Sequence, residues 1–259
     1  MKKWIAIFLS ALLLFCLVGC NGAGDLVLDE VKTYEITEEI QALDIRIDGA
    51  DVNILQGEKF CVKSNLKKLE VSERDGCLSV KDLSSRNGFG FGNHSLKDAV
   101  LTIILPKNAS FERIYFFAGA GKLAIDALSA ETVDLELGAG NVTIGALTAT
   151  REIDIEGGAG RIEILDGALH DLDLEMGVGE LKLSAALLGD CDLELGVGSS
   201  EITLIGSMAD YTLDIEKGLG AITVDGKTVT DFGSSGSGAS HVEISGGVGA
   251  ICVNFKEVE

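Results

Sequence analysis

The sequence predicts an all-β chain: a parallel β-solenoid (β-helix-like) of about seven Gly-x-Gly repeats with a less regular β region on its N-terminal side. Three observations predict it. A Gly-x-Gly bend returns at Gly119, Gly138, Gly158, Gly177, Gly196, Gly218 and Gly247, with spacings of 19, 20, 19, 19, 22 and 29 residues. Around each bend, apolar and polar residues alternate, as in "VDLEL" before and "GAGNVTI" at it, which is the period of a strand with one buried face. No segment of 111–259 spaces its apolar residues as a helix does, so the helical crossovers of an open parallel sheet are missing. A coil that lays each strand on its equivalent one turn earlier satisfies all three.

The chain opens with Lys2 and Lys3, an apolar run from Trp4 to Val18, and the small-residue site Leu17-Val18-Gly19-Cys20. That is the pattern of a secretion signal, too short to span a bilayer. Its ending resembles the bacterial lipoprotein signal, which implies cleavage of residues 1–19 and acylation of Cys20, with palmitate-type chains as the membrane anchor. An uncleaved anchor with an incidental cysteine is the alternative, and it also leaves the rest of the chain outside the cytoplasm. Residues 20–30 are then a lipidated tether, and the expected location is the outer face of the cytoplasmic membrane or a periplasm-facing envelope surface. Two or more acyl chains would hold it there stably.

Residues 31–110 form the N-terminal β region. "ALDIRIDGADVNIL" is a degenerate first repeat, with Gly49-Ala50-Asp51 at the bend. "LEVSERDGCLSV" is a hairpin turning at Asp75-Gly76. Alternation points Phe60, Val62, Leu78 and Val80 inward. It therefore places Cys61 and Cys77 on the outer face of neighbouring strands, where a disulfide is compatible with an oxidising compartment. Cys191 is in phase with core aliphatics, as a buried thiol. "SSRNGFGFGNHS" breaks all pattern and is a loop that presents Phe89 and Phe91 as a candidate contact. "AVLTIILP" is a strand closed by Pro106, the one proline of the chain.

Residues 111–259 are the solenoid repeats. Val133, Leu135, Ile153, Ile155, Leu172 and Leu174 should line the lumen from the strand before the bend. Val142, Ile144, Ile162, Ile164, Leu181 and Leu183 should do so from the strand after it. The middle residue of each bend, Ala, Val or Leu, is expected to point inward as well. At the bend itself the backbone needs positive φ or close approach to the next turn, which glycine alone supplies without a Cβ clash.

"LTIILPKNASFERIYFFAGAGKLAI", the repeated "LELGAGNVTI" units and the closing "HVEISGGVGAICVNF" resemble the bacterial envelope "putative adhesin" β-strand-repeat domain family, a domain of unknown function. The likeness covers most of 40–256. It implies a coiled all-β envelope domain, often attached to a membrane, and supplies no catalytic residues.

Other chemistries fail on spacing. "GAGNVTIG" is not a dinucleotide fingerprint, because its third glycine comes too late and strands flank it. Gly220 stands six residues before Gly226, where a P-loop needs five. "GGAGRIEIL" has Ile162 where a calcium-binding repeat needs aspartate. His94, His170 and His241 have neither zinc nor triad spacing. No enzyme, cofactor or metal is expected. The net charge is −20, or −22 once Lys2 and Lys3 leave with the signal, so nucleic acid is excluded as a partner.

The outer face carries the one suggestive pattern. Asp134, Asp154, Asp173, Asp192 and Asp214 should stack into one column, and Glu136, Glu156, Glu175, Glu194 and Glu216 into a second. Like charges about 4.8 Å apart repel by roughly 1 kcal/mol in water. The columns are either a solvated face that discourages aggregation or a surface for divalent cations or a basic protein or peptide. The resulting expectation is a non-enzymatic envelope binding or scaffold module, adhesin-like or stress-sensing. A structural solenoid that self-associates through uncapped end strands is the alternative.

Overall fold

The computed structural model describes residues 28–84, 98–216, 218–228 and 235–257. Cys20, Phe89 and Phe91 lie outside them. The N-terminal part contains β1 (Leu28–Glu35), β2 (Ala42–Gly49), β3 (Asp51–Gly57), β4 (Cys61–Leu66), β5 (Leu69–Arg74), β6 (Cys77–Asp82) and β7 (Val100–Pro106). The repeats follow as β8 (Phe111–Ile164), β9 (Gly167–His170), β10 (Leu172–Leu188), β11 (Asp190–Ile205), β12 (Tyr211–Glu216) and β13 (Leu219–Val224). Three more strands close the chain: β14 (Lys227–Thr228), β15 (Ser235–Gly236) and β16 (Ser240–Lys256).

The chain is a β-solenoid whose equivalent segments lie parallel and in register. Leu172 of β10 sits beside Ile153 of β8, and Asp173 beside Asp192 of β11. The glycine bends stack directly: a Cβ on Gly179 would run into the carbonyl oxygen of Gly160, and one on Gly198 into that of Gly179. The second glycine of each bend also holds positive φ, +134° at Gly160 and +149° at Gly179. Both reasons for glycine therefore operate at one position, and β8 runs through its bends as one strand.

All twelve predicted lumen positions are buried, none more than 7% exposed. They belong to one hydrophobic core that runs from Leu43 to Val253. The two strands of the first repeat, β2 and β3, pair in parallel with β8, so the coil begins there. The hairpin is β5–β6, antiparallel, with Asp75 and Gly76 both at positive φ, as a tight two-residue turn requires.

The structure corrects the sequence reading in four places. The middle turns have a third wall, formed by Leu147–Ala149, β9 and Ala186–Leu188, which pair in parallel. Its buried residues are Leu147, Ala149, Leu169 and Leu187. In the later repeats the middle residue of the bend points outward rather than into the lumen, with Val178, Val197, Val248 and Leu219 at 43%, 42%, 48% and 75% exposed, whereas Ala50 at the bend of the first repeat is buried. From Met176 to Leu181, both buried, the inward positions are an odd number of residues apart. The bend thus slips the alternation by one, and its apex faces solvent.

The third correction concerns order. The last strand, β16, does not follow β12 and β13 but inserts between them and β11, pairing in parallel with both. The repeat written last is therefore held inside the stack. The fourth concerns Cys61 and Cys77, whose strands are not neighbours. β4 pairs with β1 and β7, β6 with β2 and β5, and both thiols are free. Cys191 is buried as expected.

Both ends of the coil are blunted by antiparallel strands. β15 lies on β12 and β14 on β13 at one end, and β1, β4 and β5 at the other. β1, "LDEVKTYE", is mostly exposed and charged, the composition that resists edge-to-edge pairing. No helix among the described residues is long and apolar enough to cross a membrane.

Candidate functional site: the acidic wall

The wall before the bend presents its polar face outward because Leu, Ile and Val occupy every second position beneath it. Its register puts Asp154, Asp173, Asp192, Glu243 and Asp214 on adjacent strands, in that order. Beside them run Glu156, Glu175, Glu194, Ser245 and Glu216. Asp134 and Glu136 precede them on β8, where Asp134 interacts electrostatically with Glu136, Asp154 and Glu156. The predicted columns thus exist, with one change: the inserted β16 places Glu243 between Asp192 and Asp214, and Ser245 between Glu194 and Glu216. Sequence reasoning missed Glu243 because "HVEIS" departs from the Asp-x-Glu pattern, although the spacings of 22 and 29 mark the break in the coil.

At the N-terminal end Arg46 acts electrostatically on Asp134 and Glu136, but the wall's carboxylates are not neutralised by ion pairs. None of them takes part in an ion pair among the described residues, whereas the wall after the bend pairs its charges from strand to strand. There Arg161 meets Glu180 at 2.6 Å and Lys182 meets Glu201 at 3.8 Å. Partial burial, then mutual repulsion, pushes the carboxyls of Asp134, Asp154, Glu175 and Asp192 above their ordinary range. No three His, Cys, Asp or Glu side chains among the described residues are grouped closely enough to hold a metal ion. The wall is an anionic strip that runs across adjacent strands of the coil.

At its N-terminal end the strip meets a different surface. Arg46 Nε donates to Asp44 Oδ1 at 2.8 Å, and Lys81 Nζ contacts Asp44 Oδ2 at 2.8 Å. Burial raises the Asp44 carboxyl, but the hydrogen bonds from Lys81 and Arg46 outweigh it and hold it low. The Arg46 guanidinium lies 4.5 Å from the centre of the Tyr115 ring. The Tyr115 hydroxyl donates to Glu136 Oε1 at 2.9 Å. Burial and that bond push the phenol up to about 12. Arg46 and Tyr115 were not singled out from the sequence, since only the parallel register of β2 on β8 brings them together.

The raised carboxyls set a pH dependence. A carboxyl whose folded value lies above its unfolded value binds more protons in the folded chain, so stability rises as pH falls through the folded value and levels off below the unfolded one, near about 4. Asp44 has the opposite sign and loses its contribution only below the ordinary carboxylate range. Denaturant unfolding at low salt should therefore show the folded chain more stable at pH 5 than at pH 7. A flat or inverted profile would contradict the wall's electrostatics.

A family model described as Toastrack DUF4097 matches residues 40–251. Among solved structures, the chain is similar to a "putative adhesin" from Bacteroides fragilis NCTC 9343, at 15% identity and a TM-score of 0.39, over 86% of this chain and 95% of that one. It is similar to a "putative cell adhesion protein" from Clostridium sporogenes ATCC 15579, at 15% identity and a TM-score of 0.35, over 88% and 99%. A "Putative lipid binding protein" from Parabacteroides distasonis ATCC 8503 matches at 14% identity and a TM-score of 0.28, over 88% and 97%. No curated protein matches the chain.

Proposed function

The chain belongs to the Toastrack DUF4097 family, and from that premise we propose that it is a non-enzymatic binding or scaffold module of the cell envelope that holds a basic protein or peptide on its acidic wall. The supporting observation is the contrast between two walls of one coil. On the wall after the bend Arg161 pairs with Glu180 and Lys182 with Glu201, while the wall before it stacks carboxylates that form no ion pair among the described residues. A polycation spanning several strands supplies what the wall lacks. The missing chelating clusters favour such a partner over discrete divalent cations. Adhesion, the role in the names of similar structures, and envelope-stress sensing are both compatible with this chemistry.

The tether is part of the proposal. An acylated Cys20 fixes the coil to the outer face of the cytoplasmic membrane, leaving the wall free to meet partners. Cys20→Ala should move the protein from the membrane fraction to the soluble one, and retention in the membrane would refute the anchor.

Octalysine is a suitable probe for the wall. It should bind with an affinity that falls steeply with salt, and binding should be lost when Asp154, Asp173 and Asp192 become Asn and Glu175 becomes Gln. Equal affinity in that variant would end this reading.

A further inference from the structure

The corner at which the acidic wall ends carries an apolar ridge. Val178, Val197, Val248 and Leu219 are register partners on β10, β11, β16 and β13, so they form one column across adjacent strands. Four of the nine large hydrophobic side chains exposed among the described residues fall in that column. Scattered singly they would need no explanation, but a contiguous exposed cluster marks an interaction surface. Beyond the ridge, Ser199, Ala250 and Ala221 stack as a second, uncharged column that is also exposed. Together with Thr223 and Cys252 they line a groove of about 260 Å³. The two acids at its border, Glu180 and Glu201, are already met by Arg161 and Lys182.

What covers this ridge is defined by what lies beside it. Each ridge residue follows a member of the glutamate column by three positions: Val178 after Glu175, Val197 after Glu194 and Leu219 after Glu216, with Ser245 before Val248. Three residues of extended chain span about 10 Å, roughly the width of one α-helix with its side chains. Ridge and carboxylates therefore run parallel along the coil, one helix width apart. A second copy of this chain fits poorly, because pressing ridge against ridge brings its own glutamates towards these. Spacing then selects the conformation of the partner. Adjacent strands lie about 4.8 Å apart, close to the roughly 5.4 Å pitch of an α-helix, so over the three intervals of the ridge a helix laid along the coil drifts by only about 2 Å. An extended peptide repeats one face every ~6.7 Å and drifts by about 6 Å, more than a whole strand.

We propose that this corner is a docking surface for an amphipathic cationic helix. Aliphatic side chains on one face of the helix, one per turn, lie on Val178, Val197, Val248 and Leu219, and lysine or arginine on the flank nearer the wall reaches Glu175, Glu194 and Glu216. The inference rests on the basic-partner reading of the wall and deepens it: the carboxylates supply attraction for any polycation, and the ridge selects one that folds into a helix with an apolar stripe.

The test uses the mature chain and a leucine–lysine peptide of about 14 residues, about 21 Å long as a helix, with its leucines at helical spacing, beside a scrambled peptide of the same composition. Isothermal titration should show the periodic peptide binding about tenfold more tightly than the scrambled one, and far-UV circular dichroism should show helix forming as it binds. Val178→Ser, Val197→Ser, Val248→Ser and Leu219→Ser made together should weaken the periodic peptide by about tenfold or more. Octalysine affinity should stay as it was, and so should the melting temperature, since all four side chains face solvent. Val248→Ser with Leu219→Ser is the milder second variant and should lose affinity in the same direction. Equal affinity in both ridge variants, or equal affinity for the scrambled peptide, would overturn the inference. A dimer of the parent that the ridge variant abolishes would give the ridge to a second copy and overturn it also. Octalysine separates the two readings. If the neutralised wall loses it while the periodic peptide ignores the ridge variants, the ridge fails and the wall stands. If the parent does not hold octalysine, the wall reading fails first and this one with it.

Discussion

Gly198→Ala should unfold the C-terminal half of the coil or cost about 3 kcal/mol or more, read by urea denaturation. Gly198 holds φ at +149°, and an added Cβ would meet the carbonyl oxygen, carbon and nitrogen of Gly179 beneath it. Backbone cannot swing aside as a side chain can, so the strands above and below must part. Their separation breaks the register of β10 on β11 and of β11 on β16. Gly226→Ala is the control. Gly226 also has positive φ, +72°, but an added Cβ there meets nothing within 4 Å. It should cost only the conformational penalty, about 1 kcal/mol. If the two variants were equally stable, close stacking of the bends would not be what requires glycine.

That comparison also explains which parts of the fold were legible in the sequence. A bend glycine is readable because one residue type satisfies two local demands, and Val142 or Ile155 is readable because alternation is a local property of a strand. Val178 was misplaced for the same reason. Alternation was carried through the bend, where the positive φ of Gly179 lets the chain skip one residue before Leu181 returns inward. The third wall left a trace in the recurring Ala-Leu pairs at Ala127-Leu128, Ala146-Leu147, Ala168-Leu169 and Ala186-Leu187. Those segments are too short for period two to stand out.

The insertion of β16 is not a local property at all. Every neighbour along the coil offers equivalent hydrogen bonds, so the order of strands is settled by where the linkers let them meet. Only the lengthened spacings before Gly218 and Gly247 signal it. The acidic columns were visible as composition in phase. Their N-terminal limit was not, because Arg46, Lys81 and Tyr115 come from three strands that meet only in register.

The wall variant with Asp154, Asp173 and Asp192 changed to Asn and Glu175 to Gln should be more stable than the parent while losing its hold on octalysine. Carboxylates on adjacent strands sit about 4.8 Å apart and repel by roughly 1 kcal/mol per pair in water. Exposure and salt reduce this, so the net gain should be on the order of 1 kcal/mol at low ionic strength. For a chain of this size that is a rise in melting temperature of about 2–4 °C. The gain should shrink in 0.5 M salt, whereas any stabilisation from stacked amides hydrogen-bonding along the column would persist there. The paired outcome matters because a merely solvated face and a binding face differ in it. Removing charges from a solvated face raises stability and changes nothing else, but a surface that stores repulsion for a cationic partner to relieve must lose that partner when the repulsion is removed. Stability gained with octalysine affinity unchanged would assign the wall to solubility alone.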